Sequence, residues 1–187
     1  MKFVATPLEG VVRIDPERFE DDRGHFARTF CREDFAERGL PTGVEQCSTS
    51  FNERALTLRG MHWQSPPHGE DKLVRCTSGA VFDAVVDLRR GSKTFAHWYG
   101  LELSAENGRQ LFIPRGFAHG FLTLRERSEV AYQMSVSYEP GAGAGVLWDD
   151  ADIGIEWPYP PEVMSAKDRD LPRLAELDDA QLEELGA

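Results

Sequence analysis

Short runs of hydrophobic residues separated by turn residues make up most of the first two thirds of the chain. From Phe3 to about Leu124 these runs recur at intervals of about 8 to 12 residues, with Gly, Pro, Ser or Asn between them. Side chains two apart in a strand share a face, so such runs are typical of β-strands with one buried side. The spacing predicts an all-β protein, an antiparallel sandwich or barrel, rather than alternating strands and helices.

The pattern also gives approximate positions for the elements. Residues 72–88 contain two β-rich runs around Thr77-Ser78-Gly79, which predicts a hairpin. A short peripheral helix is predicted at 32–39, and an acidic helical tail from about residue 171. The further strand candidates are 94–103, 109–114, 119–124 and 129–138.

Composition limits the class of protein. The 187 residues, 41% of them hydrophobic, suit a single domain over 1–187. A net charge of -11 argues against nucleic acid as a partner, because phosphate binding over a long surface needs excess positive charge. A small anionic ligand remains compatible with the sequence, since a few inward arginines make a local positive pocket.

The cysteines and the N-terminus bear on location. Cys31, Cys47 and Cys76 are widely spaced, odd in number and without a CxxC pair, which fits neither a disulfide framework nor a zinc site. The N-terminus has no signal-peptide pattern, and no stretch approaches the roughly 18 apolar residues of a membrane span. We expect a cytoplasmic protein without a membrane partner.

Two segments carry more polar residues than a sealed core tolerates. They are RGMHWQSPPHGEDK, residues 59–72, and PRGFAHGF, residues 114–121. Buried polar groups need hydrogen-bond partners, so side chains such as Arg59 and Gln64 would be costly inside a closed barrel. A barrel with an open, polar-lined mouth avoids this cost and is a usual place for a ligand.

Strand spacing adds two phenols to this mouth. In residues 129–138, Tyr132, Met134, Val136 and Tyr138 share one face. If that face meets His62 and Lys72, the cavity holds a base, an ammonium group and a phenolic acid, a set suited to proton abstraction next to a carbonyl. The alternatives are a hydrogen-bonded histidine without a catalytic role, tyrosines that only form the wall, and surface charges at Arg59 and Lys72.

A metal site is the other chemical interpretation. Gly108, Pro114, Gly116 and His119 match the second signature of the cupins, G-x5-P-x-G-x-x-H. In the first signature Gln64 stands where metal-binding cupins have a second histidine. Only His62, Glu70 and His119 remain as ligands, a poor set for a divalent ion, so we expect no metal.

Seven segments together resemble the dTDP-4-dehydrorhamnose 3,5-epimerase family, over nearly the whole chain from about Phe3 to Pro172. They are DDRGHFARTF, LRGMHWQ, KLVRCTSGAVFDAVVDLR, IPRGFAHGF, EVAYQMSVSYEP, GVLWDDADIGIEWP and SAKDRD. The resemblance implies a cupin-type jelly-roll barrel with a few short peripheral helices, and a homodimer without metal or redox cofactor. It implies an isomerase that inverts C3 and C5 of a nucleotide-linked 4-keto-6-deoxyhexose, for deoxysugar and polysaccharide biosynthesis.

The resemblance also assigns roles to residues. His62 would be the base, Asp168 its partner, Lys72 the group that holds the enolate oxygen and Tyr132 the acid on the other face. Arg59 would pair with the diphosphate, and His119, with Asp83, would lie near the sugar. The nucleotide end would be lined by Arg23, Phe26, Gln46 and Tyr138, some of them from a second subunit.

Departures from the family pattern bear on the substrate. Arg28 stands where the family commonly has a carboxylate near the nucleobase, and the usual Q-x-N-x-S motif reads Gln46-Cys47-Ser48-Thr49-Ser50. An acid replaced by a base changes donor and acceptor chemistry. An epimerase that inverts one centre, or one that uses another nucleotide, therefore stays open. So do a non-catalytic sugar-nucleotide-binding cupin and a metal-dependent cupin enzyme.

Overall fold

The computed structural model describes residues 1–186 and consists mainly of antiparallel β-strands. The strands are β1 (Lys2–Ala5), β2 (Val12–Asp15), β3 (Arg18–Asp21), β4 (Gly24–Ala27), β5 (Gln46–Asn52), β6 (Leu58–Gln64), β7 (Lys72–Ser78), β8 (Ala80–Asp87), β9 (Trp98–Ser104), β10 (Gln110–Ile113), β11 (Phe117–Thr123), β12 (Ser128–Met134) and β13 (Gly143–Gly145). The helices are α1 (Arg32–Ala36), α2 (Ala166–Arg169) and α3 (Asp179–Glu184), with a 3-10 helix at Leu174–Glu176.

Two facing sheets form the body of the jelly roll. One has six strands in the order β1-β2-β10-β7-β12-β5, and the other has five in the order β13-β6-β11-β8-β9. Strands β3 and β4 pair only with each other among the described residues. The all-β, cupin-type jelly roll with short peripheral helices, as predicted, is therefore the fold observed.

Alternation along the strands divides the side chains between the interior and the outer faces. The space between the sheets is filled at one end by an apolar cluster that includes Val74, Val85, Leu103, Phe121 and Val130. Such a cluster stabilises the sandwich by removing apolar surface from water. The polar residues at the other end of the same inward faces form the site described below.

The predicted hairpin at 72–88 is wrong. β7 lies in the six-stranded sheet and β8 in the five-stranded sheet, so the turn at Gly79 carries the chain across the core. Gly79 has φ 71°, and a Cβ there would lie 2.3 Å from Ser128 Oγ. Glycine suits both the left-handed backbone and this close approach.

The C-terminal segment is not one continuous helix. The 3-10 helix and α3 are separated by extended residues, and Asp178 caps α3 by accepting a hydrogen bond from Ala180 N at 3.0 Å. Leu174, Leu182 and Leu185 are buried against the outer face of the five-stranded sheet. The predicted helical tail therefore packs on the barrel.

The remaining boundaries differ modestly from the prediction. The strand predicted at 94–103 begins only at Trp98, and the strand predicted at 129–138 ends at Met134. The helix predicted at 32–39 is present as α1, and its Phe35 packs on the outer face of the six-stranded sheet. Within residues 1–186 no helix has the length and apolar character needed to cross a membrane.

Candidate active site

A cavity of about 670 Å³ opens between the two sheets at the polar end of the barrel. Strands β5, β7 and β12 contribute side chains from one sheet, β6 and β11 contribute from the other, and residues 163–165 and 168 close one side. A volume of this size suits a small organic ligand. Eight residues predicted from the sequence line it: Gln46, Arg59, His62, Lys72, His119, Tyr132, Tyr138 and Asp168.

A histidine and a carboxylate form the centre of this site. His62 Nε2 lies 2.8 Å from Asp168 Oδ1. A carboxylate accepts, so this contact favours the tautomer with the proton on Nε2 and leaves the Nδ1 lone pair as the base. The second oxygen, Asp168 Oδ2, accepts from Gly60 N at 3.4 Å. Asp168 thus fixes the orientation of an imidazole on the neighbouring strand.

Asp168 is held in turn by the start of helix α2. Ser165 is the N-cap residue, and its hydroxyl accepts a hydrogen bond from Asp168 N at 3.0 Å. Serine is among the preferred residues at this position because its oxygen satisfies a free amide of the first turn. The S-x-x-D spacing in SAKD is a capping signal that the sequence analysis did not use, although it identifies Ser165 as a structural support of the site.

The surroundings of His62 keep its imidazole neutral at physiological pH. Burial lowers the pKa of His62 below its ordinary value, although the charge of Asp168 and its hydrogen bond act in the opposite direction. The positive charges of Lys72 and Lys167 lower this pKa further. A neutral imidazole is the form that accepts a proton.

We expect the pH dependence of turnover to follow this pKa. If His62 is the base, kcat/KM should be constant through neutral pH and fall in acid with a midpoint below about pH 6.5, the ordinary pKa of histidine. The lowered pKa means that the active neutral form persists to more acidic pH. The measurement is kcat/KM from about pH 5 to pH 9, and a midpoint above pH 7 contradicts the assignment.

Tyr132 lies on β12, in the sheet that faces His62. Its ring packs against the apolar cluster, and it meets the ring of His119 edge-on, with 6.1 Å between ring centres. Burial and the nearby charge of Asp83 raise the pKa of Tyr132 above its ordinary value. The phenol is therefore protonated at neutral pH and available as an acid.

The alternation predicted for residues 129–138 holds only in part. Tyr132 and Met134 line the cavity, but β12 ends at Met134 and Val136 is not among the lining residues. Tyr138 reaches the cavity from the segment after the strand, where its backbone N–H donates to Gln46 Oε1 at 2.9 Å. A side-chain hydrogen bond therefore sets the position of this second phenol.

Two cations lie in the cavity wall. Lys72 Nζ is 2.9 Å from Glu70 Oε1, and both side chains are almost buried. Arg59 is more exposed, and its Nε donates to Asn52 Oδ1 at 2.7 Å. A fixed guanidinium at the mouth of a cavity is well suited to a phosphate group.

A second histidine–carboxylate pair lies beside the first. His119 on β11 pairs directly with His62 on β6 across the sheet. His119 Nε2 is 2.9 Å from Asp83 Oδ2, and Asp83 is fully buried behind it. Asp83 is not among the residues that line the cavity, so it lies behind His119 and not at the place near the sugar where it was predicted.

Three predicted binding residues lie outside the cavity of the same chain. Arg23 and Phe26 belong to the β3–β4 hairpin and its turn, and Arg28 directly follows β4. All three are exposed, Phe26 to 68%. Their predicted role at the nucleotide end remains a prediction.

Glu70 and Ser48 were not assigned to substrate binding or catalysis from the sequence, yet both line the cavity. Glu70 had been weighed only as a metal ligand. Within residues 1–186, no group of three or more His, Cys, Asp or Glu side chains is arranged to hold a metal ion. His62 and His119 each pair with a carboxylate instead.

The cavity of this jelly roll sets a histidine of one sheet, paired with an aspartate of helix α2, against a phenol of the other sheet, and this arrangement defines an acid–base site. The family model for dTDP-4-dehydrorhamnose 3,5-epimerase matches residues 5–176. The chain belongs to this family. The family and fold predicted from the sequence are thereby confirmed, and with them the prediction of an isomerase-class enzyme.

Relatives named as epimerases cover almost the whole chain. The dTDP-4-dehydrorhamnose 3,5-epimerase of Methanothermobacter thermautotrophicus is 44% identical over 179 residues, 94% of this chain and 95% of the relative. A dTDP-4-dehydrorhamnose 3-epimerase of Streptomyces niveus is 38% identical over 183 residues, 97% of this chain and 88% of that relative. Both double and single epimerases are therefore among the relatives.

Solved structures of the family superpose closely on the fold. The 3,5-epimerase of Bacillus anthracis, with TDP and PPi bound, has a TM-score of 0.90 and 39% identity, and the match covers 92% of this chain and 99% of that one. The enzyme of Legionella pneumophila, in complex with dTDP-4-keto-L-rhamnose, has a TM-score of 0.91 and 36% identity, covering 97% of this chain and 96% of that one.

Proposed function

We propose that this protein is a metal-independent epimerase that converts dTDP-4-dehydro-6-deoxy-D-glucose into dTDP-4-dehydro-L-rhamnose. The observation that carries the proposal is the placement of His62 and Tyr132 on facing sheets around one cavity. A sugar ring between them presents one face to a base and the other to an acid. Inversion at carbon requires this arrangement, because the proton leaves one face and returns to the other.

The chemistry follows from the acidity of hydrogens next to a ketone. C3 and C5 both flank the C4 carbonyl, so loss of either proton gives an enolate. His62 Nδ1 takes the proton, the C–H electron pair forms the C=C bond, and negative charge moves to the C4 oxygen near Lys72. Tyr132 then gives its proton to carbon from the opposite face as the C=O bond re-forms, and solvent exchange restores both side chains.

The rest of the substrate accounts for the other polar groups. Arg59, held by Asn52, is positioned for the diphosphate, and His119, held by Asp83, is positioned for the sugar hydroxyls. Gln46 and Tyr138 line the same cavity and are hydrogen-bonded to each other. The bound TDP of the B. anthracis relative and the bound product sugar of the L. pneumophila relative support a dTDP-sugar as the ligand.

The proposal is tested by proton NMR of dTDP-4-dehydro-6-deoxy-D-glucose incubated with the protein in D2O, with and without a chelator. We expect deuterium at both C3 and C5, at equal rates in the two conditions. Loss of exchange in chelator would establish a metal-dependent enzyme instead. Binding without any exchange would mean either that the protein only binds sugar nucleotides or that its substrate has a different sugar or nucleotide. In the second case Arg28 is the first residue to examine.

A single-centre epimerase is the second candidate, and the similarity to the 3-epimerase of S. niveus favours it. Whether one or two protons are removed depends on how the ring lies over His62. The same NMR experiment separates the candidates, because a single-centre enzyme incorporates deuterium at one position only.

We infer a homodimer in which the β3–β4 hairpin of one subunit completes the cavity of the other. The hairpin is exposed, forms no sheet with the barrel and carries Phe19 and Phe26 directly opposite each other. Large exposed apolar groups of this kind mark an interaction surface. In this dimer Arg23 and Arg28 lie near the nucleotide in the cavity of the other subunit, whereas neither lines the cavity of its own subunit.

Subunit mixing tests the shared site. Phe26→Ala alone should weaken dTDP binding about tenfold or more, since a buried aromatic contact is lost. At substrate concentrations well below saturation, a mixture of inactive His62→Ala with Phe26→Ala should be more active than the two variants assayed separately, because a mixed dimer contains one intact cavity completed by one intact hairpin. Sedimentation as a monomer, or no recovery in mixed dimers, contradicts the arrangement.

We assign this reaction to the reducing cytosol. Cys31, Cys47 and Cys76 are all free thiols, as is usual for proteins of that compartment.

A further inference from the structure

Glu70 is the cavity carboxylate to which the proposed mechanism gives no role. Its Oε1 atom lies 2.9 Å from Lys72 Nζ, and the two side chains are only 13% and 12% exposed. Charges removed from water to this degree need partners. Glu70 is therefore the counter-ion of the lysine that faces the developing enolate.

The other carboxylate oxygen is fixed by Gln64. Gln64 Nε2 donates to Glu70 Oε2 at 3.3 Å and is also 3.3 Å from the carbonyl of His68, while Gln64 Oε1 accepts from Glu139 N at 2.8 Å. Gln64 is buried and shares the inward face of β6 with His62. It links the strand of the proposed base to the loop that carries Glu70 and to the segment that follows β12.

The next residue anchors the backbone at the start of β7. Asp71 is buried and accepts hydrogen bonds from Arg115 N and Arg115 Nη2, both at 3.1 Å, and from Ser135 Oγ at 3.0 Å. Backbone and side chain of the Glu70–Lys72 segment are thus held by neighbouring elements. A lysine side chain that is already held in place loses less conformational freedom when the substrate binds.

We propose that Glu70 is a positioning residue, which holds the Lys72 ammonium towards the enolate oxygen and balances its charge beside His62. This inference rests on the proposed epimerase function. A hydrogen-bond donor that is already in place stabilises the transition state without reorganisation. Loss of this positioning therefore lowers kcat more than it raises KM. Glu70 itself makes no contact with the reacting carbon in this role.

Charge balance gives the inference a second readout. His62 is surrounded by Asp168 and Lys167 on α2, Lys72 on β7, Arg59 on its own strand, and His119 and Tyr132 on the cavity walls. The charge of Lys72 already lowers the pKa of His62. Removal of the Glu70 carboxylate leaves that charge uncompensated, so the acidic limb of the pH profile should move to lower pH.

The test compares Glu70→Gln, Lys72→Ala and the double variant, with dTDP-4-dehydro-6-deoxy-D-glucose as substrate. We expect Glu70→Gln to lower kcat about tenfold or more and to change KM less than about threefold. The midpoint of the acidic limb of its pH profile should move to lower pH. In the Lys72→Ala background the same substitution should have little further effect, because Glu70 acts through the lysine. A wild-type kcat with an unmoved limb, or an equal loss in both backgrounds, overturns the inference.

Two further variants separate charge from fold. Glu70→Asp keeps the carboxylate, so its acidic limb should stay at the wild-type pH and its kcat should exceed that of Glu70→Gln; identical behaviour of the two variants overturns the inference. Glu106→Gln removes an exposed carboxylate paired with Arg125 and should change neither readout. If the wild-type protein shows no deuterium exchange, the proposed function fails. If the wild type is active and Glu70→Gln has the same kcat and the same pH profile, only the positioning role is overturned.

Discussion

His62→Ala should lower kcat by roughly 10² to 10⁴, the usual contribution of a general base. The imidazole is the group whose neutral form is stabilised by burial and whose orientation is fixed by Asp168 at 2.8 Å. Without it the cavity loses the imidazole that Asp168 orients for proton removal. Deuterium exchange at C3 and C5 should fall by the same factor as product formation, because both need the first proton transfer.

Binding and a matched histidine variant serve as controls for His62→Ala. The affinity for dTDP should stay near that of wild type, since the nucleotide contacts involve other residues. His97 is exposed and lies outside the cavity, so His97→Ala should retain full activity. Wild-type turnover in His62→Ala, or an equal loss in His97→Ala, removes His62 from the mechanism.

The fold class was predictable from periodicity, but the pairing of strands was not. The Thr77-Ser78-Gly79 signal marks a tight turn correctly, yet the turn joins two sheets instead of two neighbours in one sheet. A turn signal reports only a local reversal of the chain. Which strand becomes the neighbour depends on packing of both faces, and β7 is paired with β10 and β12, which come later in the sequence.

The site was predictable to the extent that motifs identify residue types. Polar residues at strand ends indicated a cavity, and alternation placed Tyr132 and Met134 on the same wall. The pairing of His62 with Asp168 spans 106 positions, and no local pattern connects them. Only the family resemblance linked the two, and the structure adds why it works: Ser165 caps the helix that presents Asp168 to the strand.

The role of the hairpin shows a different limit of sequence reasoning. The pattern of β3 and β4 identifies Phe19 and Phe26 as apolar, but it does not tell whether their own subunit covers them. In the structure they are exposed and face each other across the strand pair. The family resemblance had already implied that some residues reach in from a second subunit, and this exposure agrees with that proposal, because Arg23 and Arg28 do not line the cavity of their own chain.

Tyr132→Phe separates the two halves of the reaction. The variant keeps the ring that packs edge-on against His119, so the fold and dTDP binding should be preserved, while the proton that the raised pKa keeps on the phenol is lost. Formation of the inverted sugar should fall by roughly 10² to 10⁴.

Deuterium exchange should fall much less in Tyr132→Phe, because His62 can still remove a proton and return a deuteron to the same face. Exchange and inversion, measured by NMR in one D2O sample, therefore diverge in this variant and fall together in His62→Ala. Tyr159→Phe, which alters an exposed phenol, should leave both rates unchanged. Equal loss of exchange and inversion in Tyr132→Phe would place the phenol in proton removal as well, and an unchanged inversion rate would mean that another group supplies the second proton.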